Sequence, residues 1–394
     1  MLEVDAGSFL TIVVAAALAA LLAGLVARWL VVPVVVLELV LGIVVGPEAL
    51  DLAHPDDFVG FFSNLGLGML FFFAGYEIDF ERIRGVPLRL AALGWLLSLV
   101  LAYALGGLLA LAGVVLSLLF TGSALATTAI GTLIPILRDA DEIRTRFGTY
   151  LLGAGAMGEF GPILLITLVF STKGALENAL ILIAFVVVAV LAGILAVRSL
   201  GRGWNLIERT LETSSQLAIR VTVVIVFALA ALASELGLDL LLGGFVAGII
   251  LRLALQGREV EVLESKLAAV GYGFLIPFFF VASGAAVDLG ALIDDPIRFL
   301  EVPMFLALFL IVRGAPALLL YRRVLDLRDR KALALFSATE LPLVVAITTI
   351  AVAEGHMRDV TAASLVLAAI CSTAIYPILA LRLRGDAPAA AAGA

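Results

Sequence analysis

The chain is a succession of long apolar runs separated by short polar turns. Thirteen runs can be counted, at about 8–27, 30–47, 58–77, 88–112, 114–137, 147–171, 176–198, 216–235, 238–254, 265–287, 298–321, 331–353 and 360–382. An α-helix needs roughly 17–25 apolar residues to cross the hydrocarbon core of a bilayer. A helix is also the simplest segment that satisfies all its own backbone groups there. The expected fold class is therefore an all-α polytopic membrane protein of about thirteen transmembrane helices. Composition agrees, with 63% hydrophobic and 14% charged residues among 394, against about 45–50% and 25% in soluble domains.

Several function classes drop out. A net charge of −7 is no nucleic-acid signal. The one cysteine, Cys371, lies in an apolar run, and His54 and His356 fall in turns without a metal-ligand companion. No histidine, cysteine or serine sits beside an activating group, so no enzyme and no cofactor are expected. Glu3 and Asp5 precede the first run, where a signal peptide would carry positive charge, so 8–27 reads as a true helix. Residues 385–394 read as a disordered tail, and gating by an appended soluble domain is not expected.

Lys and Arg in the connecting segments set orientation. One side carries Arg28, Arg82, Arg84, Arg89, Arg138, Arg144, Arg146, Arg198, Arg202, Arg209, Arg252, Arg258, Lys266, Arg322, Arg323, Arg328, Arg330, Lys331, Arg382 and Arg384. The other carries only Lys173, Arg298 and Arg358. This asymmetry, twenty against three, places the N-terminus outside and the C-terminus in the cytoplasm of a cell (plasma or inner) membrane. Arg220 and Arg313 fall within runs.

The two halves echo each other. LVLGIVVG (39–46) resembles LLGGFVAG (241–248), and GLGMLFFFAG (66–75) resembles GYGFLIPFFFVASG (271–284). ATTAIGTLIP (126–135) is answered by SATELP (337–342). The transport domain at 1–384 then divides into repeat one at about 8–171, a linker helix at about 176–198 and repeat two at about 216–382. The second copy is inverted, because the copies start an odd number of helices apart. Inverted repeats with broken helices mark secondary transporters, whose sites lie near the membrane midplane.

The run at 147–171 holds one carboxylate near its middle, Glu159, flanked by Gly153, Ala154, Gly155, Ala156, Gly158, Gly161 and Pro162. A charge at that depth costs about 2.5–3.5 kcal/mol on insertion scales, so Glu159 is expected to carry a proton or a cation. The fifth run has consecutive β-branched Thr127 and Thr128, then Gly131 and Pro135; the twelfth has Glu340 two residues before Pro342. Gly131, Pro135 and Pro342 are the expected helix breaks, since unwound backbone is tolerated where it lines a cavity. Thr127 and Thr128 would offer oxygens to a cation, and Glu340 would neutralise positive half-helix ends. Arg313 cannot shed its proton and needs a partner, with Glu159 and Glu340 as candidates for a central ion pair. Glu38 and Glu235 are buried by pattern; Glu77, Asp79 and Asp288 read as helix-end anchors. Gly42-x3-Gly46 and Gly244-x3-Gly248 read as close-packing motifs.

Together with VVLELVLGIVVGPE (35–48), RFGTYLLGAGAMGEFGPILL (146–165) and FSATELPLVVAI (336–347), these stretches resemble the monovalent cation:proton antiporters, in the branch of sodium/proton exchangers and potassium-efflux systems. The resemblance implies thirteen helices, crossing of the fifth and twelfth at the ion site, an elevator-type mechanism and a homodimer. It also implies a carboxylate pair at the centre of the sixth helix. Here Gly158-Glu159 stands where that pair is Asp-Asp or Asn-Asp, so one carboxylate remains. One acid holds either one proton or one cation, which implies one-for-one electroneutral exchange of H+ for Na+ or K+. The alternatives are a sodium-coupled organic-anion symporter on the same plan, and a degenerate channel or sensor. The region around the breaks is poor in the Asn, Gln and Ser that a symporter would use.

Overall fold

The computed structural model describes residues 5–26, 33–78, 80–169, 180–191, 215–236, 240–255, 261–294 and 296–385, and every regular element among them is helical. In order these are α1 (Ala6–Val26), α2 (Val34–Val45), α3 (Asp57–Glu77), α4 (Phe80–Ile83), α5 (Val86–Leu111), α6 (Leu118–Leu125), α7 (Ile130–Asp139) and α8 (Arg146–Val169). A helix at Leu180–Leu191 is α9. Then follow α10 (Leu217–Glu235), α11 (Leu240–Leu255), α12 (Glu261–Val270), a π-helical turn (Gly271–Leu275), α13 (Ile276–Ala285), α14 (Gly290–Asp294), α15 (Glu301–Leu320), α16 (Leu327–Ser337), α17 (Pro342–Ala353) and α18 (Asp359–Gly385).

Among the described residues, eight helical segments are long and apolar enough to cross a membrane, and four shorter apolar ones accompany them. Each apolar run of the sequence has a helical counterpart. Two are interrupted: α6 and α7 share the fifth run, α16 and α17 the twelfth. The ends of the 176–198 run, tail residues 386–394, and Arg28, Lys173, Arg198, Arg202, Arg209 and Arg258 lie outside the described residues.

Polar caps stop the helices where the pattern turns polar. The side chain of Asp56 accepts from Val59 N at 2.7 Å before α3, and that of Asp326 from Asp329 N at 2.7 Å before α16. Each satisfies one of the N–H groups that a first turn leaves open. Glu235 is exposed at the end of α10, against the expectation of burial, because the helix terminates there. Glu38 is buried in α2.

The chain forms two compact units. One comprises Met1–Ala16, Leu52–Ile78 and Ile163–Ser283. Within it α3 and α11 meet backbone to backbone. A Cβ on Gly244 would lie 2.7 Å from the Gly68 carbonyl oxygen, and one on Gly248 would lie 2.6 Å from Tyr76 N. Only glycine permits that approach. Rings of Phe9, Phe58, Phe62 and Phe278 fill a cluster with centroids 5.1–5.6 Å apart.

The other unit comprises Ala17–Asp51, Asp79–Pro162 and Gly284–Ala394. It has its own apolar core, in which Leu133, Leu137, Leu151, Leu333 and Phe336 are fully buried. Here α2 makes the corresponding glycine contact: a Cβ on Gly46 would lie 2.9 Å from Ala285 Cα. Both interrupted helices belong to this unit, as does α8 as far as Pro162.

Candidate functional site

Proline starts the construction. Pro162 sits inside α8 and has no N–H, so the carbonyl four residues earlier, on Gly158, loses its helical donor. The N–H of Thr128 takes that carbonyl at 3.0 Å. Next to it, Ala129 N donates to the carbonyl of Thr339 at 2.8 Å. Those two bonds tie α8, the α6–α7 break and the α16–α17 break together. They also explain where the fifth run unwinds. The N–H groups of Thr128 and Ala129 go to tertiary acceptors instead of the preceding turn, so the helix stops at Leu125 and resumes at Ile130.

This corrects the expectation for Gly131 and Pro135, which both lie within α7. The capture of backbone donors upstream sets the break, rather than the glycine or the proline. The second break spans Ala338–Leu341, and Pro342 opens α17 at its first position, where its missing N–H costs nothing. Thr127, Thr128, Thr339 and Glu340 are all buried in the paired breaks.

Glu340 is held through its backbone by α18. Its N–H donates to Ser372 Oγ at 3.0 Å, and Thr373 Oγ1 donates to its carbonyl at 3.3 Å. Its carboxylate oxygen Oε2 lies 3.2 Å from Thr127 Oγ1, which is also 3.0 Å from the Ala124 carbonyl. One hydroxyl proton serves those two acceptors in turn. Glu340 Oε1 accepts no hydrogen bond from the described residues. The carboxylate lies two residues before the start of α17, where a helix N-terminus favours negative charge.

Arg313 on α15 is 4% exposed. Its Nε donates to Thr128 Oγ1 at 2.9 Å, Nη1 to Ser98 Oγ at 3.1 Å and Nη2 to the Ala154 carbonyl at 3.2 Å. The expected ion pair with Glu159 or Glu340 is thus not a direct one: all three partners are neutral oxygens. Two of those hydroxyls are already oriented by backbone. Thr128 Oγ1 donates to the Ser337 carbonyl, and Ser98 Oγ donates to the Val312 carbonyl at 2.9 Å. Val312 is four residues before Pro316, so its carbonyl is again one that a proline has freed. With their protons committed, both hydroxyls present lone pairs to the guanidinium.

Gly158 makes room for this arrangement. A Cβ there would lie 2.6 Å from Thr128 Oγ1 and would overlap the Arg313 guanidinium. Gly161, one turn on, packs against the Trp95 ring, whose Nε1 donates to the Ala126 carbonyl at 3.2 Å. Gly155, one turn back, packs on the Ile130 side chain. The stripe Gly155–Gly158–Gly161 is therefore the face of α8 that accepts the first break. Glu159 follows Gly158 directly and is 2% exposed.

The sequence reading missed Ser98, Trp95, Ser372 and Thr373. Ser98 carried a usable signal: a lone hydroxyl in the apolar stretch LGWLLSLVLA is expected to bond across helices. Ser372 and Thr373 gave less, because Ser and Thr in a helix commonly bond their own preceding turn.

The transmembrane sodium/hydrogen exchanger family matches residues 16–381. The chain is 26% identical over 371 residues to a putative Na(+)/H(+) antiporter of Bacillus subtilis, covering 88% of this chain and 58% of that protein. It is 28% identical over 262 residues to a probable Na(+)/H(+) antiporter of Methanocaldococcus jannaschii, covering 66% of each. A glutathione-regulated potassium-efflux protein of Escherichia coli is 27% identical over 364 residues, covering 86% of this chain and 55% of that one. The chain thus spans a little over half to two thirds of the length of these relatives. In fold it superposes on the sodium proton antiporter MjNhaP1 of Methanocaldococcus jannaschii with a TM-score of 0.64 at 16% identity, covering 96% of this chain and 99% of that one. With the exchanger family matching nearly the whole helical region, this chain belongs to the sodium/hydrogen exchanger family of multi-pass membrane proteins.

Proposed function

We propose that this protein is a secondary active antiporter that exchanges Na+ or K+ for H+, with Glu159 as the carboxylate that both ions share. The observation that carries the reading is a buried acid on α8, directly after the residue whose carbonyl binds the broken fifth helix. Burying a carboxylate in an apolar helix is costly, and titration or cation binding is the use that gives the cost a purpose. Thr127 and Thr128 sit at the same break. There Thr128 serves the framework through both its N–H and its hydroxyl, which leaves Thr127 as the better-placed oxygen donor for a cation.

Charge counting supports a one-for-one stoichiometry. Glu159, Glu340 and Arg313 sum to one negative charge when the first two are ionised. One proton or one monovalent cation neutralises the group, so both loaded forms carry the same charge. All five residues lie in one compact unit, as a site carried on a moving body requires in elevator-type alternating access. The protein works in the cell membrane, as a homodimer, with the N-terminus outside and the C-terminus in the cytoplasm. The 1–384 transport domain retains the inverted-repeat reading, which the matching glycine contacts of α2 and α11 support.

The test is proton movement in vesicles reconstituted with purified protein. An imposed Na+ or K+ gradient is expected to drive it, with a rate unchanged when membrane potential is clamped at different values. Cation-independent proton leak would contradict antiport, and a steep voltage dependence would contradict the stoichiometry.

A further inference from the structure

The elements that meet at the site are also tied together at their far ends, by one guanidinium. The segment Ala140–Thr145 joins α7, which resumes after the first break, to α8, which carries Glu159. It is a tight turn. Asp141 has φ 55°, and a Cβ on Gly148 would lie 2.7 Å from the Ile143 carbonyl oxygen. Thr145 Oγ1 accepts from Gly148 N at 2.9 Å and so caps the start of α8. The Glu142 carboxylate receives Thr145 Oγ1 at 3.1 Å.

The same carboxylate receives Arg384, near the end of α18, in a two-armed pair: Nε to Oε1 at 2.8 Å and Nη2 to Oε2 at 2.9 Å. The third arm, Nη1, goes to the Asp329 carboxylate in the first turn of α16. The guanidinium also lies 4.4 Å from the ring centre of Phe147 in the first turn of α8. Arg328 of α16 donates to the Leu383 carbonyl beside it. Thus Arg384 touches the α7–α8 turn, the start of α8 and the start of α16. The turn is the outer end of α7 and Asp329 lies at the outer end of α16, two helices whose inner ends border the breaks, while α8 carries Glu159. Its own helix, α18, holds Glu340 through Ser372 and Thr373.

We infer that Arg384 and Glu142 are positioning residues for the exchange site: their bidentate pair, braced by Asp329, fixes the register of α7 and α8 against α16 and α18. The inference rests on the antiport reading of Glu159. A planar fork gripping a carboxylate by two bonds fixes direction as well as distance, which a lysine does not. The side chains of Arg384, Glu142 and Asp329 are 15%, 13% and 21% exposed. Solvent therefore screens the pair less than a surface bridge. A rigid lever of helix transmits a small shift at the turn to the break, and misplacement of about 1 Å at a reacting centre can cost on the order of a hundredfold in rate.

The experiment compares wild-type protein with Arg384→Gln, Arg384→Lys, Glu142→Gln and the Glu142→Gln/Arg384→Gln pair, reconstituted in equal folded amounts. Apparent cation affinity and maximal exchange rate are read separately. Arg384→Gln is expected to shift apparent cation affinity roughly threefold to tenfold, with partial recovery in Arg384→Lys. The double variant should be no worse than the poorer single one, because both remove the same pair. Unchanged affinity in Arg384→Gln, or single effects that add in full, would overturn the inference.

A second readout does not depend on transport. Trp95 of α5 packs its ring on Gly161 of α8, so it is kept while Trp29 and Trp204 are replaced by Phe. Arg384→Gln is then expected to shift Trp95 emission. No emission change would count against positioning even if exchange fell. A shift in a protein whose wild type exchanges nothing would instead fault the antiport reading.

Discussion

At residue scale, the chain has solved the problem of a buried arginine without a direct carboxylate partner among the described residues. A guanidinium inside a membrane protein is tolerable only when its N–H groups find acceptors. Here Thr128, Ser98 and Ala154 supply them. The absence of a side chain at 158 is the condition for all of this, since the guanidinium fills the space a Cβ would take. Gly158→Ala therefore has to displace either Arg313 or Thr128. It should cost about 1–3 kcal/mol, in the range of an overpacked core, and lower exchange strongly. Thermal unfolding beside vesicle exchange checks both effects; a variant with wild-type stability and rate would mean that Arg313 is not seated over Gly158. The Gly158-Glu159 departure from the family's paired acids was legible in the sequence. That an arginine occupies the vacated space was not, because it depends on a helix 155 residues away in the chain.

At the scale of elements, two helix prolines do the same work. Pro162 releases the Gly158 carbonyl to Thr128 N, and Pro316 releases the Val312 carbonyl to Ser98 Oγ. Thr128 and Ser98 are then the two hydroxyls that hold Arg313. Each break in a hydrogen-bond ladder thus becomes a contact between helices. Pro162→Ala restores an N–H that competes for the Gly158 carbonyl. Relieving an interior proline favours the helix by roughly 3 kcal/mol, so the variant should melt no lower than wild type. Loosening of Thr128 should meanwhile slow exchange on the order of tenfold. A fully active Pro162→Ala protein would show that the captured carbonyl has no part in transport. The length of the apolar runs located these helices, and Pro162 announced a carbonyl in need of a donor. What the local sequence could not say is which donor would come. Gly131 and Pro135 looked like the break because such residues weaken a helix anywhere. The actual break lies a few residues earlier, where tertiary acceptors take the N–H groups of Thr128 and Ala129.

At the scale of the whole molecule, the bilayer made the fold unusually readable. Apolar runs must be helices, and short turns leave little freedom in their order. The same pressure makes polar residues inside those runs few, so Glu159, Arg313 and Glu340 stood out from composition alone. Their mutual geometry did not follow, since partners across helices are chosen by packing rather than by spacing in the chain. The central claim is that one carboxylate on α8 carries the proton and the cation in turn. Glu159→Gln tests it most directly, being nearly the same shape without the charge. Reconstituted at wild-type amounts, with unchanged thermal unfolding, it should show proton flux no greater than empty vesicles under an imposed Na+ or K+ gradient. Cation-driven proton exchange at the wild-type rate in Glu159→Gln would contradict the account.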